Sequence, residues 1–149
     1  MNKQVSFVGV FLLSVIALST SLFFNACKKD KDCPPGYEGS DCNIESRSKF
    51  FGTWKGLTDC GSNPGTDTYS ITAAPGEVDK IFIDELVSCP STASVNGSSF
   101  TITNDDCNDD DTINGTGSIS EDGQTLQISW TDDDIHGNHR SCTGTWTKQ

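Results

Sequence analysis

Several things are scarce in this chain, and each scarcity excludes a chemistry. Histidine occurs twice, at His136 and His139, so any Ser-His-Asp or Cys-His arrangement would have to draw on one short segment. No two cysteines are spaced C-x-x-C, which argues against zinc. Basic residues all but vanish beyond residue 60, where Lys80, Arg140 and Lys148 face fifteen acidic residues, a net of −12. No basic stripe exists to meet a phosphate backbone, and nucleic acid and anionic headgroups are repelled. No segment sustains a helical period, and no internal repeat is present. Paired carboxylates occur only in polar loops, with no apolar pocket to raise a pKa. Together these absences make a non-enzymatic protein the expectation.

What is present begins with an apolar N-terminus. A short polar start (Met1-Asn2-Lys3) precedes a hydrophobic stretch from about Val5 to Phe24, the layout of a secretory signal. Cys27 follows Ala26 and opens the charged run Lys28-Lys29-Asp30-Lys31-Asp32. Seven cysteines are an odd number for an exported chain. With Cys27 set aside, Cys33, Cys42, Cys60, Cys89, Cys107 and Cys142 form an even set, which reads as a disulfide framework with several possible pairings.

The segment Phe24-Asn25-Ala26-Cys27 resembles the lipobox of bacterial lipoproteins, although Phe24 and Asn25 depart from the common leucine and small residue. The resemblance implies cleavage after residue 26, diacylation of the Cys27 thiol, and attachment to the outer membrane of a Gram-negative cell. More than one acyl chain is needed for firm anchoring. The charged run after Cys27 is similar to export signals of surface-exposed lipoproteins.

Residues 33–42, Cys33-Pro34-Pro35-Gly36-Tyr37-Glu38-Gly39-Ser40-Asp41-Cys42, resemble the last disulfide loop of an EGF-like module. The prolines stiffen the entry and the glycines permit tight turns. The other EGF cysteines and the acidic calcium motif are absent, so the resemblance is to a fragment and implies a Cys33–Cys42 bond. The chain thus divides into a signal (1–26), a lipidated tether (27–32), this loop (33–42) and a domain (43–149).

From Phe50 onward, β-branched and aromatic residues alternate with Gly, Asn, Asp and Pro clusters. After one helical turn within 43–49, strands are expected at 51–60, 67–74, 79–87, 91–96, 98–104, 112–120, 124–132 and 139–147. Period-two faces are plain in Phe100/Ile102, Ile113/Gly115/Gly117/Ile119, Leu126/Ile128/Trp130 and Cys142/Gly144/Trp146. Asn96-Gly97 and Glu121-Asp122-Gly123 are hairpin signals. The expected fold is all-β: an eight-stranded antiparallel up-and-down barrel, or a flattened one. About 22 large apolar side chains in residues 50–149 would just fill an interior of about 20 inward positions, leaving room for a small pocket at most.

Phe51-Gly52-Thr53-Trp54, at the start of the first long strand, resembles the Gly-x-Trp opening of lipocalin-like barrels. That resemblance implies that Trp54 plugs the closed end, covered by a basic residue near the last strand, for which Arg140 is the candidate. A core this small needs staples. Cys60 shares strand parity with Trp54, and Cys142 with Trp146. If the first and last strands are neighbours, Cys60–Cys142 would lock closure and leave Cys89 with Cys107.

Two acidic segments are candidate ion sites. Asp105, Asp106, Asp109, Asp110 and Asp111, with Asn104 and Asn108, supply the oxygens calcium wants, although the loop lacks the EF-hand glycine and terminal Glu. Solvated acidic loops have the same composition. His136 and His139 beside Asp132, Asp133 and Asp134 could hold a transition metal or form a solvated turn. The composite expectation is a monomeric surface lipoprotein, bound to the membrane by its lipid and displaying an acidic barrel for a small ligand or a surface partner. A calcium-dependent adhesive module and a small protease-inhibitor-like protein are the alternatives.

Overall fold

The computed structural model describes residues 32–61, 64–84, 86, 90–107 and 111–149, within the compact unit Lys31–Gln149. Cys27, the expected signal and the start of the expected tether lie outside the described residues, as do Cys89, Asp109 and Asp110.

A two-stranded ladder, β1 (Tyr37–Glu38) and β2 (Ile44–Glu45), leads into a short 3-10 helix, Ser46–Phe50. Eight strands follow: β3 (Gly52–Asp59), β4 (Gly65–Ala73), β5 (Lys80–Ile83), β6 (Ser91–Asn96), β7 (Ser99–Cys107), β8 (Asp111–Ile119), β9 (Thr125–Asp134) and β10 (His139–Lys148). Each pairs antiparallel with the next, and β10 returns to β3, so the barrel is closed and has no free edge.

The alternation read from the sequence positions the core. Leu126, Ile128 and Trp130 of β9 are buried between exposed Gln127 and Ser129. Trp54, Ile71, Ile81, Phe100, Ile113 and Trp146 join them inside. Four interior positions are glycine because rings or neighbouring backbone occupy the space a side chain would need. A methyl on Gly117 would overlap the Phe100 ring, and one on Gly144 would overlap the Trp146 ring. A methyl on Gly56 would strike the β10 backbone at Thr145, and one on Gly115 would crowd Ser129 and Trp130 of β9 less severely.

Three local expectations change. The helical turn expected within 43–49 begins at Ser46, because Ile44 and Glu45 pair instead with Glu38 and Tyr37. The strand expected over 79–87 stops at Ile83; the Asp84 N–H donates to the Ser70 carbonyl at 2.9 Å, and Leu86 turns back into the core. β7 runs on to Cys107 through a bulge between Ile102 and Asp105, which inserts one residue and reverses the inward parity beyond it.

The Cys33–Cys42 and Cys60–Cys142 disulfides are both present. The backbone of Cys107 pairs with Asp111 at the end of β7. The loop closed by Cys33–Cys42 sits against the β4–β5 turn: the Ser46 N–H donates to the Gly36 carbonyl at 2.9 Å, and Val78 and Asp79 crowd Gly36.

Trp54 is fully buried, and its Nε1–H donates to the Phe50 carbonyl at 2.8 Å, tying the 3-10 helix to the barrel end. The basic residue that covers it is Lys148, not Arg140. Lys148 is directly paired with Trp54, and its Nζ lies 5.3 Å from the indole centroid. Arg140 stands eight residues earlier on the same extended strand, which carries it to the opposite end of the barrel. The 3-10 helix, which packs on β4, β5 and β6, marks the closed end; the ends of β3, β5, β7 and β9 and the starts of β4, β6, β8 and β10 surround the open one.

Candidate functional site

At the open end the inward face changes character. The parity that buries Leu126, Ile128 and Trp130 on β9 continues to Asp132, and the parity of Trp146, Gly144 and Cys142 on β10 continues to Arg140. On β4, Tyr69 and Ile71 are preceded on the same face by Asp67. Asp67, Tyr69, Trp130 and Arg140, with Thr58 and Leu86, line a cavity of about 450 Å³ whose wall includes the Cys60–Cys142 disulfide. The volume lies in the range of small-molecule sites.

The polar groups in and under this cavity are ordered by a few contacts. The Tyr69 hydroxyl lies 3.3 Å from the Thr58 hydroxyl and donates to an Asp67 carboxylate oxygen at 3.3 Å. Burial, the dominant cause, pushes the Tyr69 phenol up to about 12; the Thr58 contact opposes this and the Asp67 carboxylate adds to it. Tyr69 is therefore a neutral donor throughout the physiological range. Its ring packs 5.2 Å from that of Trp146, which in turn lies 6.2 Å from Trp130.

Asp132 is only 6% exposed and is paired through Oδ2 with Arg140. Its other oxygen, Oδ1, is buried with no hydrogen-bond partner, and so is Nε1 of Trp130, two residues earlier on the same face. Leaving such groups unpaired costs about 1–3 kcal/mol each. Both atoms lie beneath the open-end surface, and Trp130 is itself on the cavity wall.

The predicted ion-site residues are distributed differently. Asp134 accepts from the His136 N–H, the Asn138 N–H and the Asn138 side chain at 2.6–2.9 Å. These bonds, the Asn138 side chain first, hold its carboxyl below the usual range, and they make the Asp132–His139 segment a capped turn. His139 Nδ1 sits 2.6 Å from Asp133 Oδ1, with both groups exposed. Asp105 Oδ2 accepts the Thr92 N–H at 3.0 Å, tying the β7 bulge to β6. Asp111 heads β8, paired with Asp134. For Asp106 only the backbone is described, paired with Thr112. Among the described residues no three His, Cys, Asp or Glu side chains are grouped to hold a metal ion.

No protein-family model matches the chain. No curated protein matches it either. Among solved structures it is similar to designed barrels. A redesigned β-barrel overlays with a TM-score of 0.46 and 12% identity, covering 70% of this chain and 95% of the other. A de novo designed fluorescence-activating β-barrel overlays with a TM-score of 0.46 and 15% identity, covering 71% and 99%.

Sequence reasoning did not bring Tyr69, Thr58, Asp67 and Trp130 together as a site. The signal was available in one form: a polar residue standing on the inward parity of a strand near its end, as Asp67, Asp132 and Arg140 all do.

Proposed function

We propose that this protein is a non-enzymatic, lipid-anchored surface protein whose barrel binds a small ligand at its open end. The observation that carries the binding reading is the cavity of about 450 Å³ with Tyr69, Trp130 and Leu86 on its walls and Thr58, Asp67 and Arg140 as convergent polar groups. The anchoring rests on the Phe24-Asn25-Ala26-Cys27 segment and on the even set of six cysteines that remains once Cys27 carries lipid. The charge distribution supports this orientation. Residues 28–59 balance six basic against six acidic residues next to the lipid, and the net negative charge lies farther out.

A fragment screen followed by heteronuclear NMR on the domain tests the binding reading. Binders should shift the Trp130 indole N–H, which is resolvable among three tryptophans. A screen whose hits move only outer-wall or closed-end resonances would overturn it. For the anchor, mass spectrometry of the Cys27 peptide should find acyl chains, and Cys27→Ser should release the protein from membranes. An unmodified Cys27 would remove that part of the proposal.

The acidic open end supports a second reading, a calcium-dependent surface module built on Asp105, Asp106, Asp109, Asp110 and Asp111. A rise in melting temperature with millimolar calcium, reversed by chelator, would favour it.

A further inference from the structure

The open-end cavity, taken as the binding site, also carries information about charge. Asp67 faces it from β4, and among the described residues it accepts the Tyr69 hydroxyl alone. Among the described residues no Lys, Arg or His pairs with it.

The wider field has the same sign. Arg47, Lys49, Lys80 and Lys148 lie toward the closed end, bound to carboxylates or carbonyls there, and Lys55 projects outward from β3. At the open mouth Arg140 stands alone among the described Lys and Arg, and Asp132 holds it. Around it are Asp59, Asp84, Asp133 and Asp134 at strand ends. Arg140 is on the cavity wall itself, but with Asp132 holding it the mouth is net negative, and such a field concentrates cationic ligands.

The walls add what a bare metal ion does not use. Tyr69 and Trp130 present aromatic rings, and Leu86 an apolar surface. Trp130 is 3% exposed, and its Nε1 has no partner. An unpaired carboxylate beside aromatic walls matches an ammonium group, which gains a charge-assisted hydrogen bond and a ring-face contact together. The Trp130 indole N–H is buried without a partner, and an oxygen acceptor on the same molecule would satisfy it if the ring turned toward the cavity.

We infer that the cavity takes a small protonated organic amine with an oxygen acceptor on its body, its ammonium on Asp67 and its body against Tyr69 and Trp130. Anions are turned away by the rim, and neutral analogues lack the contact to Asp67.

Three probes of matched shape test this: 2-phenoxyethylamine, 2-phenoxyethanol and phenoxyacetate, titrated into the disulfide-intact domain while the Trp130 indole resonance is followed. The amine should bind about tenfold or more tightly than the alcohol, the worth of one charge-assisted bond. The carboxylate should leave the resonance in place. Asp67→Asn should bring the amine down to the alcohol's affinity, Asp67→Glu should keep its preference, and Glu121→Gln at the closed end should change nothing. Thermal melts of each variant confirm folding.

If amine and alcohol bind equally, or Asp67→Asn leaves the amine unaffected, the ammonium assignment falls while the cavity keeps its role. If none of the three moves the resonance at millimolar concentration, the assignment also falls. The fragment screen then decides separately whether the cavity binds anything.

Discussion

Cys60 and Cys142 are 82 residues apart in sequence and bonded across the seam where the first barrel strand meets the last. The bond lies one step beyond the final ladder pair, Asp59 with Thr143, so it holds the seam at the end where ladder hydrogen bonds run out. It also forms part of the cavity wall. Closing so long a loop is worth about 4.5 kcal/mol through restriction of the unfolded chain. The Cys60→Ser/Cys142→Ser variant should therefore lose about that much in urea denaturation. The Cys33–Cys42 loop, with a sequence separation of 9, should be worth less, about 2.5 kcal/mol on the same basis. The reverse order of losses would mean that the barrel seam closes on its ladder alone.

Gly117 and Phe100 divide one volume between them: the ring occupies the space that any side chain at 117 would fill. Gly117→Ala should cost about 1–3 kcal/mol as overpacking. Phe100→Leu should lower that penalty, because the ring is what the new methyl strikes. A double-mutant cycle should then show favourable coupling of about 1 kcal/mol or more. Additive losses would mean that the Gly117 backbone, and not the ring above it, is what the substitution disturbs.

The barrel was legible because a half-buried strand writes its burial in a period of two. Leu126, Ile128 and Trp130 declare one face without ambiguity. The seam disulfide was legible for the same reason, since Cys60 and Cys142 keep the parity of Trp54 and Trp146. What parity cannot supply is register. Lys148 covers Trp54 because the two residues are paired, and no local pattern in the sequence states that pairing. The β7 bulge was hidden too, because Thr103, Asn104 and Asp105 carry no apolar alternation whose reversal could be noticed. The cavity was concealed differently. Asp67, Asp132 and Arg140 look like ordinary loop-proximal charges until the strands are known to extend far enough to turn them inward.

Arg47 is a second residue whose role composition hides. Its side chain is 11% exposed, and one terminal nitrogen reaches the carbonyls of Ala74, Glu77 and Lys80 at 2.6–3.1 Å. Glu45 holds its Nε at 2.9 Å, and its guanidinium lies over the Phe51 ring. It thus fastens the 3-10 helix to the β4–β5 turn. Arg47→Ala should cost about 2 kcal/mol or more, since carbonyls that shared a charged donor lose it together. Arg47→Lys should recover only part of this, lacking the planar fork and the stacking surface. Hydrogen exchange of the Ala74 N–H, which closes the turn onto the Lys80 carbonyl at 3.2 Å, should accelerate in both variants. Unchanged exchange there would show that the turn stands without Arg47.

Tyr69 makes the barrel sensitive to alkali, and the sign follows from its environment. Its phenol is raised from the ordinary 10.0 to about 12, chiefly because a buried phenolate is poorly solvated. The folded state thus holds the proton more tightly than the unfolded chain does. The resulting stabilisation is complete below about pH 10 and is lost as pH rises toward 12. Tyrosinate absorbance should show a step near pH 12, absent in Tyr69→Phe, and the alkaline fall in stability should flatten in that variant. Asp67→Asn should move the step down, because the carboxylate raises the phenol both by its charge and by accepting its proton. Thr58→Val should move it up, because the Thr58 hydroxyl is the contact that opposes burial. If both variants shifted the step in the same direction, the hydroxyl pair at the cavity wall would not be governing the phenol.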